Sequence, residues 1–156
     1  MKVTELDNIT GTLSKPSKMP GWSYGIPAKE CKVGSKLAKI PGTVCHGCYA
    51  LKGCYVFPNV QAAQYKRLAA IDHPAWVEAM AMQILRHKSK YFRWHDSGDI
   101  QSLDHLKKIF AVCNLTPDVN HWLPTREASI VAMVTPEEVP SNLIIRISAT
   151  KVDGNP

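Results

Sequence analysis

The stretch Cys31–Tyr55, CKVGSKLAKIPGTVCHGCYALKGCY, holds four of the chain's five cysteines, Cys31, Cys45, Cys48 and Cys54, at the spacing Cys-x13-Cys-x2-Cys-x5-Cys. In the Cys45-His46-Gly47-Cys48 knuckle two thiols are close enough in sequence to converge on one metal centre. Three chemistries compete for such a loop. Disulfides are disfavoured by the odd cysteine count and by a start, MKVTELDNIT, with no apolar signal core, which together point to a reducing, cytoplasmic setting. Four thiolates would satisfy structural zinc, but zinc ribbons bring two short knuckles and only one pair here has that spacing. A [4Fe-4S] cluster also takes thiolates and tolerates irregular spacing, so it is the leading expectation, with zinc as the alternative. Gly34, Pro41, Gly42, Gly47 and Gly53 suit a wrapping loop rather than a helix or strand. Lys32, Lys36, Lys39 and Lys52 either offset the charge of a thiolate-ligated centre or form a solvated surface.

A second set of reactive side chains falls later, in His95-Asp96-Ser97-Gly98-Asp99, in Thr125-Arg126-Glu127, and at Ser148 and Thr150. His95, Asp96, Asp99 and Arg126 are the candidates for chemistry. A histidine followed directly by aspartate suits a general acid/base or a metal ligand oriented by a carboxylate, although it also suits a satisfied buried histidine. Arg126 suits a bidentate clamp on a carboxylate or phosphate, or an ion pair with Glu127 or Asp99. Asp96 and Asp99 flank Gly98 in a turn, where one of them is expected to bond to backbone N–H groups. Ser97, Gly98, Thr125 and Ser148 are the candidates for lining a cofactor.

The runs KMPGWSYGIPAKEC, PGTVCHGCYALKGCYVFPNVQAAQYKR, FRWHDSGDIQS and WLPTRE, in that order over Lys18 to Ile147, resemble the phage-encoded family called gene product 88. The resemblance implies Cys31, Cys45 and Cys48 as the ligand set and leaves Cys54 outside it. More distantly, the cysteine loop ending in CYA and followed by βα units is similar to the radical S-adenosylmethionine superfamily, in which three cysteines hold a [4Fe-4S] cluster and one iron stays open for S-adenosylmethionine. This chain departs from that pattern, since thirteen residues rather than three separate its first two cysteines.

The elements that must position these residues follow from periodicity and punctuation. Residues 1–30 carry Pro16, Pro20, Gly21, Gly25 and Pro27, which argue against a long regular element. Trp22, Tyr24 and Ile26 alternate with small residues and suit a short strand or an aromatic cover. Pro58 opens a helix that runs to Ala69, and a second helix follows Pro74 with Trp76, Met80, Ile84 and His87 on one face. Met80 and Met82 are expected to pack, and His87 to act as a cation at the helix end. Tyr91–His95 reads as a strand, then Ser102 caps a helix with Leu103, Leu106, Ile109, Phe110 and a buried Cys113 on one stripe. Asn120–Leu123 is a strand, Ala128–Val134 a short helix, and Leu143–Ser148 a third strand. Strands separated by helices require parallel pairing, because hairpins use far shorter connections. The expected fold is α/β, an open parallel sheet or partial (β/α) barrel in a single domain, with 1–57 a loop-rich metal segment and 58–156 the helices and βα units. In such folds ligands sit at the carboxyl ends of strands, where His95–Asp99, Thr125–Glu127 and Ser148 all fall.

At 156 residues and 45% hydrophobic the chain suffices for one core, and no apolar run approaches the ~18 residues of a membrane span. The net charge of +6 favours anionic partners, a small or nucleotide-like ligand first and nucleic acid more weakly. Two function classes follow: a cluster-dependent enzyme, or a binding module whose N-terminal half is held by a closed metal site.

Overall fold

A computed structural model of the chain describes residues 2–15, 21–27, 39, 41 and 57–148. Cys31, His46, Cys45, Cys48, Cys54 and Thr150 lie outside the described residues.

The first element is a helix that the sequence reading did not expect. In α1 (Val3–Thr10) the Glu5 carboxylate accepts the Lys2 N–H at 2.9 Å, supplying one of the partners a helix start lacks, and Leu6 turns inward. The prolines and glycines that argued against a regular element begin only after it. Strand β1 (Trp22–Tyr24) follows, the short strand that the alternation of Trp22 and Tyr24 with small residues suited.

Pro58 sits in the first turn of α2 (Pro58–Ala70), where its missing N–H costs nothing. Helix α3 (Trp76–Arg86) buries Trp76, Ala79, Met80, Gln83 and Ile84, while Met82 is exposed rather than packed. Strand β2 (Tyr91–Trp94) stops one residue short of the expected end, because His95 turns into the left-handed region at φ +61°. Helix α4 (Leu103–Leu115) is capped as expected: the Ser102 hydroxyl accepts the His105 N–H at 3.1 Å. Its inward stripe ends in Cys113, whose thiol is buried and pushed up to about 12 by desolvation. Strand β3 (Asn120–Thr125) runs through Pro124, and α5 (Ala128–Val131) is one turn. Strand β4 (Leu143–Ile147) closes the sheet.

The four strands lie in the order β1-β2-β3-β4, every pair parallel. Sequential order with right-handed crossovers puts successive helices on one face. Trp76 of α3 accordingly packs edge-on against Tyr24 of β1 and near Trp94 of β2, with ring centroids 5.9 and 6.1 Å away. That face, with Tyr24, Phe92, Trp94 and Leu123, forms the core together with Ile84, Leu106 and Ile109. His121 belongs to it as a satisfied core histidine, its Nδ1 accepting the Trp94 indole N–H at 3.1 Å and its Nε2 2.8 Å from the Thr116 hydroxyl. Tyr91, Trp122 and Ile144 point to the opposite face, where they are exposed. The α/β expectation therefore holds as an open, all-parallel sheet. Among the described residues no helix is long and apolar enough to cross a membrane.

Candidate functional site

The register aligns the strand tips, with Tyr24 opposite Trp94 and Thr125 opposite Ile147. The residues that follow each strand therefore share one edge, and they form two clusters.

The first is built on Asp99. Its Oδ1 accepts the Ile100 N–H at 2.8 Å and the Thr125 hydroxyl at 2.5 Å, and its Oδ2 accepts the Arg126 N–H at 2.8 Å. The Glu127 N–H donates in turn to Thr125 Oγ1 at 3.0 Å, and the Ser148 N–H to the Thr125 carbonyl at 2.8 Å. Burial raises the Asp99 pKa; the bonds from Arg126, Thr125 and Ile100 pull it back, and nearby Glu127 adds to the rise. With its acceptor positions used by the fold, Asp99 is the structural aspartate of the pair flanking Gly98, and it latches the β2 loop to the end of β3. The Arg126 backbone is part of that latch. Its side chain is half-buried, with an Nε atom that finds no hydrogen-bond partner among the described residues.

The second cluster joins the ends of β1 and β2. The His95 N–H donates to the Tyr24 carbonyl at 2.7 Å, and the Ile26 N–H to the Ser97 carbonyl at 3.0 Å. Gly98 takes φ +82° with Ile26 directly against its Cα, so a side chain would meet both a strained backbone and an occupied space. At Gly25 a Cβ would overlap the Asp96 carboxylate, which approaches the bare backbone there. Buried Arg67 of α2 comes to the same spot, donating from Nη1 to the Gly25 carbonyl at 2.9 Å and from Nε to the Thr12 carbonyl at 2.6 Å. Burial raises Asp96, and the charges of Arg67 and then Arg93 oppose the rise.

His95 is the anomaly of this edge. It is 3% exposed, it occupies left-handed backbone that a histidine seldom adopts, and neither ring nitrogen has a hydrogen-bond partner among the described residues. Burial, then the neighbouring His105 and Arg93, hold its pKa well below the usual imidazole range. The His105 ring lies 5.2 Å away, centroid to centroid, and is held at about 3 by burial. Its Nδ1 accepts the Gln101 N–H at 3.1 Å, so the neutral ring carries its proton on Nε2, which is buried without a partner among the described residues. A neutral imidazole with unsatisfied nitrogens can take a proton, donate one, or ligate a metal.

The expected residues thus fall on one edge but with different duties. Asp99, Thr125 and the Arg126 backbone hold strand ends together, Ser148 is tied in through its backbone, and Gly98 allows a tight turn. His95, Asp96 and Ser97 sit beside the end of β1, where the Ser97 hydroxyl is buried without a partner. His87, expected as a cation, instead stacks on Trp22 at 3.7 Å and has its pKa lowered by burial and by Arg86. Sequence reasoning missed Arg67 and His105. Gln-Tyr-Lys-Arg in α2 reads as a solvated face, and only the carbonyls of residues 12 and 25 give Arg67 a reason to be buried. Among the described residues no group of three His, Cys, Asp or Glu side chains could hold a metal ion.

Comparison with curated proteins and with solved structures finds no match, and so lends no support to kinship with the radical S-adenosylmethionine superfamily. A family model described as gene product 88 matches residues 2–155, and the chain belongs to the gene product 88 family.

Proposed function

We propose that this chain is a cysteine-ligated iron-sulfur protein whose [4Fe-4S] cluster serves a pocket at the carboxyl ends of the sheet. The observation that carries the reading is the His95 imidazole: buried, uncharged and, among the described residues, without a partner at either nitrogen, beside the end of β1. Cys31, Cys45 and Cys48 fall between Pro27, three residues after Tyr24, and Phe57, which leads into α2. Thiolates and a neutral imidazole are a donor set that suits iron, whereas Cys113 is locked in the core and takes no part. When bound, such a cluster supplies an electron or, at an iron with an open position, a Lewis acid.

The chain's own residues would do the rest. His95, neutral at physiological pH, accepts or returns a proton at a ring nitrogen. Arg126, its backbone fixed by Asp99, offers a guanidinium to a carboxylate or phosphate of a small, nucleotide-like ligand. By the resemblance drawn from the sequence, that ligand is S-adenosylmethionine, whose carboxylate would meet such a clamp. The second reading is a non-catalytic module with zinc or a closed cluster held by four cysteines, Cys54 included. It is favoured by Asp99 and Thr125, which spend their polar groups on holding the strand ends.

Anaerobic purification of the full chain decides between them. A brown protein with broad absorption near ~400 nm, bound iron and acid-labile sulfide is expected, and its spectrum should change on adding S-adenosylmethionine. A colourless, zinc-loaded protein overturns the cluster reading, and a cluster blind to S-adenosylmethionine overturns the choice of ligand.

A further inference from the structure

The helices cover one face of the sheet, and the strand positions that point the other way are buried Ser23 on β1, Tyr91 and Arg93 on β2, Asn120, Trp122 and Pro124 on β3, and Ile144 and Arg146 on β4. Tyr91, Trp122 and Ile144 are all exposed large side chains. They border a concavity of about 410 Å³ that is open to solvent. An exposed tryptophan in the middle of a sheet face costs solubility, so its presence beside a tyrosine and two arginines needs a reason.

We propose that this face is a binding platform for single-stranded nucleic acid. Trp122 and Tyr91 lie one strand over and two residues along from one another, about 8 Å apart by sheet geometry. That is within the step between neighbouring bases of an extended strand, and aromatic pairs on open sheets stack successive unpaired bases in this way. The Arg93 guanidinium sits over the Trp122 ring at 5.0 Å, which places positive charge at the stacking position. Arg146, opposite Pro124 in the register, lies two residues further along β4 than Ile144 and outside the concavity. A ligand that fills the concavity and also reaches Arg146 is longer than one nucleotide. No strand position on this face carries a carboxylate, Lys88 and Lys90 lead into Tyr91, and the chain as a whole is at +6. A second copy fits less well, because a two-fold contact through this face would set arginines against their own symmetry mates. Duplex DNA offers no unpaired base to stack.

The test is fluorescence anisotropy of the full chain with a labelled deoxythymidine strand of about twelve nucleotides, at about 50 and about 200 mM salt. Binding that weakens at the higher salt is expected. Trp122→Ala should weaken it by about 5- to 100-fold and Trp122→Phe by no more than about 3-fold, since either ring presents a stacking face. Arg146→Gln should weaken binding and reduce the salt slope by about one. Circular dichroism of each variant separates lost binding from lost fold. The proposal is overturned if the strand does not bind at low salt, if folded Trp122→Ala binds like the parent, or if a duplex of equal length binds as tightly. Thymidine monophosphate binding as tightly as the strand would mean a mononucleotide pocket, and light scattering that shows a dimer dissociated by Trp122→Ala would mean a second copy; either result also overturns it.

Discussion

The Arg67 guanidinium caps the carbonyl of Gly25, Nη1 donating at 2.9 Å, so that α2 is fastened to the end of β1. The same side chain donates to Thr12, and its own carbonyl accepts the Tyr24 hydroxyl at 2.6 Å. Thr12, Gly25 and Asp96, from three places in the chain, therefore converge on one cation, and Asp96 supplies the negative charge that favours it most.

Arg67→Met is expected to destabilise the protein by about 3–5 kcal/mol, because it takes the guanidinium donor from the buried Gly25 carbonyl and the partly buried Thr12 carbonyl and the main counter-charge from the Asp96 carboxylate. Arg67→Lys should recover only part, since an ammonium cannot reproduce the two-directional donation. Urea denaturation measures both, and a loss below about 1 kcal/mol for the methionine variant would show that the anchor is dispensable.

Asp99→Asn tests the latch between the β2 loop and β3. The amide keeps one oxygen but turns an NH2 toward a backbone N–H or the Thr125 hydroxyl, so one accepting position becomes a clash of donors. A cost of about 1–3 kcal/mol is expected, together with faster hydrogen exchange at the Arg126 amide. Unchanged exchange there would remove Asp99 from the latch.

Asp99 and Arg67 also show what could be read from the sequence and what could not. The Asp-Ser-Gly-Asp turn after an aromatic strand announces a carboxylate that bonds to local N–H groups, and parallel βα units place it at a strand tip. The helices α2, α3 and α4, and the strands β2, β3 and β4, carry their own periodicity and turn signals, so their existence was legible. Arg67 had no such signal, because its burial is decided by carbonyls more than forty residues away. Helix α1 was hidden by the prolines and glycines that follow it, and its helix start rests on one local carboxylate bond. The end of β2 was misplaced by a residue because left-handed backbone at a histidine contradicts local preference, and such contradictions gather at functional sites.

Acidification below about pH 6.5 should destabilise the fold. His95, His105 and His121 are neutral in the folded protein, with His105 at about 3 and His121 at about 4, each lowered chiefly by burial. The unfolded chain binds protons at these sites below about pH 6.5 while the folded chain does not, so stability falls as pH drops through that value. The slope is up to about 1.4 kcal/mol per pH unit for each histidine. The raised Asp96 and Asp99 act in the opposite sense, since the folded state takes up their protons first, and they blunt the loss at lower pH. Denaturant midpoints from pH 7 down to about pH 5 should fall steadily, and His121→Gln should flatten the curve. A flat profile in the parent would contradict the neutral histidines.

Cys54→Ala separates the two metal readings. Three thiolates from Cys31, Cys45 and Cys48 suffice for a cluster with an open iron, so the variant should keep its iron, its sulfide and its colour. A closed four-cysteine site would lose its metal, and with it the stability that metal binding lends to the fold. Metal content of the purified variant, measured beside Cys45→Ala as the variant expected to lose the cluster in either case, gives the answer.

His95→Asn is the sharpest test of the edge, because function and stability should move apart. Asparagine tolerates left-handed backbone better than histidine does, and the substitution removes two buried nitrogens that the fold leaves unsatisfied. The melting temperature should therefore fall by only a few degrees, equivalent to about 1 kcal/mol. If His95 serves the metal centre or a ligand bound there, the absorption and electron paramagnetic resonance spectra of the reconstituted protein should change, or their response to an added ligand should be lost. A variant that melts far below the parent while its spectra stay the same would make His95 a packing residue and withdraw the observation on which the cluster reading chiefly rests.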